Sequence, residues 1–87
     1  MLIDVRSPQA YANGHIPGAI NMPHETINAY LSELEQHKNK PIIIYCQRDK
    51  EAHIAMKMLE KMNFSEVIHF EGDMLGWNGT GATIDRM

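Results

Sequence analysis

The chain has 87 residues, 44% of them hydrophobic, and a formal charge of −3. This composition supports one domain over residues 1–87, and eight scattered lysines and arginines against an acidic balance argue against nucleic acid as a partner. No apolar run approaches the ~20 residues of a bilayer span, Asp4 and Arg6 interrupt any signal-like start, and a lone cysteine suits a reducing compartment, so a cytoplasmic domain without membrane association is expected.

Met1 to Val5 reads as a strand through Leu2, Ile3 and Val5. Ser7-Pro8 is a helix start, with Ser7 as N-cap and Pro8 where a missing N–H costs little. That helix runs to about Ala12 and stops at Asn13-Gly14. A turn-rich loop, Gly14 to Gly18, leads to a short strand at Ala19-Ile20-Asn21. His24 to His37 places Ile27, Tyr30, Leu31 and Leu34 at spacings of three and four, the pattern of an amphipathic helix. Asn39-Lys40-Pro41 ends it. Ile42 to Tyr45 is apolar without alternation, which predicts a central strand covered on both faces. Ala52 to Met62 carries Ala52, Ala55, Met56, Leu59 and Met62 on one side of a further helix. Val67 to Phe70 is a strand, Asp73 to Trp77 a helical turn, and Gly76, Gly79 and Gly81 make the tail loop-like. Strands and helices alternate throughout, so the expected fold class is α/β, a mainly parallel central sheet with helices on both faces.

Cys46 follows the central strand directly, and Gln47-Arg48-Asp49-Lys50-Glu51 links it to the next helix. A thiol between a strand end and a helix N-terminus can be held as a thiolate by loop N–H groups and the helix dipole. A buried core cysteine is the competing reading of a lone thiol. The five histidines show no metal-ligand spacing, so no metal site is expected. Met56, Met58 and Met62 are helix-spaced and read as packing. Trp77 is read as a pocket rim or as an apolar clasp for the C-terminus.

Three segments together resemble the rhodanese-like domain family, and the resemblance covers nearly the whole chain. The first is Leu2-Ile3-Asp4-Val5-Arg6-Ser7-Pro8, continuing through Tyr11 to Gly14-His15-Ile16-Pro17-Gly18-Ala19-Ile20-Asn21. The second is Ile42-Ile43-Ile44-Tyr45-Cys46, and the third is Val67 to Phe70 with Glu71-Gly72 and Trp77. The resemblance implies a rhodanese-like three-layer domain. It also implies movement of a sulfane sulfur from thiosulfate or a persulfide donor to a thiol or cyanide-type acceptor. A protein persulfide is a further partner of this kind. The intermediate would be a persulfide on Cys46 as nucleophile, with no cofactor.

The active loop departs from the family pattern, which has glycine three residues after the cysteine, arginine at five, and serine or threonine at six. Asp49, Glu51 and Ala52 stand there. The N–H groups of Gln47, Arg48, Asp49, Lys50, Glu51 and Ala52 are expected to cradle the substrate anion, with Arg48 or Lys50 supplying positive charge. Glu51 is expected to weaken thiosulfate binding, since one like-charge pair at ~4 Å costs about 4 kcal/mol at an effective dielectric of ~20. Asp4, Arg6 and His15 are read as structural: Asp4 accepting loop N–H bonds, Arg6 paired with a carboxylate, and His15 bonded to turn backbone. Cys46 is expected to be solvent-reachable at the base of a pocket, with no base beside it and a pKa of roughly 7 to 8. A phosphatase loop would need arginine at position 52, where Ala52 stands, so that chemistry is discounted. The alternative function is a catalytically weak or inactive module for partner binding or redox sensing, favoured by Glu51.

Overall fold

The computed structural model describes residues 1–86; Met87, the last residue of the expected domain, lies outside them. In chain order the elements are β1 (Leu2–Asp4), α1 (Pro8–Asn13), β2 (Ile20–Asn21), a 3₁₀ helix (His24–Tyr30), α2 (Leu31–Glu35), β3 (Ile42–Tyr45), α3 (Lys50–Lys61), β4 (Val67–His69) and α4 (Asp73–Gly79). The strands form one parallel sheet in the order β2-β1-β3-β4. Among the described residues no helix is long and apolar enough to cross a membrane.

β3 joins the two halves of the core. Successive side chains of a strand point to opposite faces. Ile42 and Ile44 therefore meet Ile3, Ile27, Leu34, Ala55 and Leu59 on one face, while Tyr45 meets Ile16, Ala19 and Met74 on the other. Phe70, Trp77 and Ile84 pack onto that second face. The expected α/β architecture, with helices on both faces of a parallel sheet, is borne out, and the unalternating run Ile42–Tyr45 does lie between two neighbours.

Three differences from the sequence reading exceed one residue. The segment expected to be one helix over His24–His37 is a 3₁₀ helix followed by a short α-helix. Thr26, Ile27 and Asn28 are weak helix formers, and Tyr30, at φ −103° and ψ 10°, interrupts the ladder before Leu31. α3 starts at Lys50 rather than Ala52, and α4 extends the expected turn to Gly79. Trp77 donates its Nε1–H to the Thr83 carbonyl at 2.9 Å and packs with Ile84, which is a clasp on the C-terminal segment.

A buried ion pair holds the end of β1. Asp4 is fully buried, and its Oδ1 accepts the Arg6 backbone N–H at 2.9 Å. The Arg6 guanidinium donates to both carboxylate oxygens over 2.8–3.2 Å and, through Nη2, to the Gly14 carbonyl at 2.7 Å. Gly14 is held close on its other side, where an added Cβ would lie 2.8 Å from Ile84. His15 stacks on Tyr11 at 3.7 Å and its Nδ1 meets the Tyr11 carbonyl at 2.8 Å. Asp4→Ala leaves the arginine without its partner. Breaking a buried pair costs about 3–5 kcal/mol, and Arg6 can rehydrate through the pocket it lines, so the expected loss is about 3 kcal/mol. Thermal unfolding should therefore begin at least ~10 °C lower; an unchanged melting temperature with lost turnover would give Asp4 a chemical role instead.

Candidate functional site

Parallel strands deliver the segments that leave them to the same edge of the sheet. The loop after β3 and the turn after β4 therefore meet, and Phe70 N–H donates to the Ile44 carbonyl at 2.9 Å where they begin to diverge. Gly72 and Asp73 both adopt left-handed backbone, at φ 92° and 53°. This turn brings the Asp73 side chain back against the loop that starts at Cys46.

Asp73 is 1% exposed and saturated with donors. Its Oδ1 accepts the Cys46 backbone N–H at 2.9 Å, and its Oδ2 accepts the Asp49 backbone N–H at 2.8 Å. His69 Nε2 lies 2.9 and 3.0 Å from the two oxygens. Burial alone would raise the pKa of this carboxyl, but the two amides and His69 outweigh it and hold the pKa below the ordinary carboxylate value. Asp73 is thus ionised at neutral pH, and an ionised carboxylate only accepts, so Nε2 carries the proton. Asp49 is bent to φ 47° and ψ −55° at the position where its N–H reaches Asp73. Such backbone costs of order 1–3 kcal/mol and persists only where its surroundings hold it.

The thiol differs from expectation. Cys46 is fully buried, in the same apolar cluster as Ala52, Ala55 and Leu59, and not solvent-reachable. Its Sγ lies 3.5 Å from Asp73 Oδ1. Burial pushes the thiol pKa up to about 11; the Ala52 backbone amide opposes this, while the negative charges of Asp73 and Glu51 add to it. The expected value of roughly 7 to 8 is corrected on two grounds. The site is dry, and an anion already stands beside the sulfur.

The expected cradle of Gln47 to Ala52 is therefore only partly offered to a substrate. The amide of Asp49 is committed to Asp73 and that of Lys50 to the Arg48 carbonyl at 2.6 Å, while that of Ala52 is directed at sulfur. An open pocket adjoins the loop, lined by Arg6, Ser7, Ala10, His24, Glu25, Gln47 and Glu51. Glu51 and Glu25 face it, and its one arginine is tied to Asp4. Arg48 and Lys50 are exposed and do not line this pocket, so the charge they were expected to bring is not found there. Arg6 Nη1 reaches Gln47 Oε1 at 3.4 Å, which connects the Asp4 pair to the loop.

Asp73 and His69 escaped the sequence reading. Both lie more than twenty positions from Cys46, and the signal that could have found them is an acid directly after the glycine turn that closes the neighbouring parallel strand. The expectation of no metal-ligand spacing rests on neighbours along the chain. Asp49, His53 and His69 each bring a ligand atom within 4.8 Å of the others, a grouping that local spacing could not reveal because His69 comes from β4.

The sequence model of the rhodanese-like domain matches residues 1–80. The chain belongs to the rhodanese-like domain family. It is 37% identical over 83 residues to the uncharacterised protein YqhL of Bacillus subtilis, covering 90% of this chain and 60% of that protein. It is 29% identical over 80 residues to the thiosulfate sulfurtransferase GlpE of Pseudomonas syringae, covering 92% of this chain and 74% of that protein. The crystal structure of a thiosulfate sulfurtransferase from Pseudomonas aeruginosa superposes with a TM-score of 0.88 at 26% identity, over 98% of this chain and 16% of that one. This chain thus spans less than two thirds of YqhL and about a sixth of the P. aeruginosa chain.

The thiol chemistry has a pH signature. A thiol whose folded pKa is raised from 9.0 to about 11 favours the folded state below pH 9 and loses that contribution as pH climbs toward 11. The urea midpoint should fall across that window more steeply in the wild type than in Cys46→Ser. Iodoacetamide alkylation should rise toward pH 11 and shift to lower pH in Asp73→Asn, which keeps the shape and removes the charge. An inflection near 8 would disprove this account of the thiol.

Proposed function

We propose that this domain carries sulfane sulfur on Cys46, taking it from thiosulfate or a persulfide and passing it to a thiol or cyanide-type acceptor. The observation that carries the reading is the position of Cys46. It directly follows the central strand, and the Ala52 amide in the first turn of α3 lowers its pKa, which favours the anion of a thiolate or persulfide. The membership in the family and the sulfurtransferase names of relatives support the same chemistry.

The neutral thiol must lose its proton before it attacks. Asp73 Oδ1 lies 3.5 Å from the sulfur, but a carboxylate of lowered pKa is too weak a base to keep the proton, which passes to solvent. The resulting thiolate attacks the outer sulfur of thiosulfate, the S–S bond to the sulfonate group breaks, and sulfite leaves with the bonding electrons. An acceptor thiolate or cyanide then attacks the outer sulfur of the Cys46 persulfide, and the Cys46 thiolate departs and recovers its proton. Because the sulfur is buried, the Gln47–Lys50 segment must move aside for both steps.

Two observations favour the second reading, a catalytically weak or inactive module for partner binding or redox sensing. Glu51 lines the pocket beside the loop, and Asp73 already occupies loop amides that an anionic substrate would use. Intact-mass spectrometry after thiosulfate treatment separates the two readings. One added sulfur on the wild type and none on Cys46→Ser is expected; no addition to either protein would favour the module. In a thiosulfate–cyanide assay, Glu51→Arg should raise kcat/KM roughly tenfold to a hundredfold, the worth of one charge-assisted contact of about 1.5–3 kcal/mol.

A further inference from the structure

We propose that Asp49, His53 and His69 bind one borderline divalent transition ion of the zinc class. Asp49 directly precedes α3 and His53 lies in its first turn, with the His53 N–H donating to the Asp49 carbonyl at 3.1 Å. Their spacing of four places both side chains on one side of the helix start. β4 supplies the third donor from the neighbouring strand: the His69 ring centroid is 4.8 Å from that of His53, and His69 Nε2 is 3.7 Å from Asp49 Oδ1.

The three ligand atoms lie within 4.8 Å of one another. Metal–ligand bonds of ~2.0–2.2 Å place tetrahedral ligands roughly 3.5 Å apart, so the set closes by about an ångström. Asp49 and His53 are exposed and can rotate by that amount. His69 presents the same nitrogen, Nε2, to the Asp73 oxygens at 2.9 and 3.0 Å, so an ion must take Nε2 from that hydrogen bond. Two imidazole nitrogens and one carboxylate suit zinc, nickel or copper, whereas magnesium and calcium require mostly oxygen. The ion takes the place of the proton on His69 Nε2, and that proton moves to the ring's other nitrogen, Nδ1. Asp73 stays satisfied afterwards, since its two backbone donors remain.

Calorimetric titration of the full chain with zinc tests the proposal. The Cys46→Ser variant is used as the parent, so that the thiol is excluded as a ligand and the result is independent of sulfur transfer. Expected are one saturable equivalent and no binding of magnesium. His53→Ala, at an exposed position, should fold like the parent and bind zinc at least about tenfold more weakly, while His37→Ala should bind as the parent does. Absence of saturable zinc binding, or equal affinity in His53→Ala, would overturn the site.

Discussion

The carboxylate of Asp73 organises the end of the sheet at which Cys46 lies. Three donors converge on it: the amides of Cys46 and Asp49 and the ring of His69. It thereby joins the loop after β3 to the turn after β4 and to the residue that opens α3. A buried carboxylate is tolerable only when its oxygens are satisfied, and here each oxygen has a backbone N–H at 2.8–2.9 Å. Among the described residues every buried side-chain nitrogen or oxygen has a hydrogen-bond partner.

Burial and the same carboxylate together set the state of the sulfur. A loop of amides at a helix start ordinarily favours an anion. In this chain a fixed side-chain anion takes part of that capacity, so the thiol next to it is held neutral. The local field that would activate Cys46 has been used to anchor the loop. The thiol is therefore protonated at neutral pH, and no standing thiolate waits at the end of the strand. The Asp4–Arg6 pair is the counterpart at the end of β1. It fixes Gly14 and contacts Gln47, so the Arg6 side of the pocket rests on a buried ion pair.

The fold was largely legible because its signals are local. Ser7-Pro8 caps and starts α1, with Ser7 Oγ accepting the Ala10 N–H at 3.2 Å. The apolar run Ile42–Tyr45 gives the strand that both core clusters share. The helix over His24–His37 was misread because apolar spacing reports which side faces the core, and a 3₁₀ helix followed by an α-helix can present nearly the same side. Cys46 was legible as a candidate from its place after a buried strand. Its burial was not, since an apolar strand leads as readily to a packed thiol as to an exposed one.

By itself the amino-acid sequence determined the alternation of strands and helices, the central strand, and the family to which the chain belongs, because periodicity, caps and contiguous motifs are properties of neighbouring residues. Only the tertiary structure decided the chemistry around the sulfur. Asp73 and His69 reach Cys46 because β3 and β4 run parallel and end together, and His53 meets His69 because α3 packs beside that edge. Charges act across space with a strength set by distance and burial, and neither quantity is written in the order of residues.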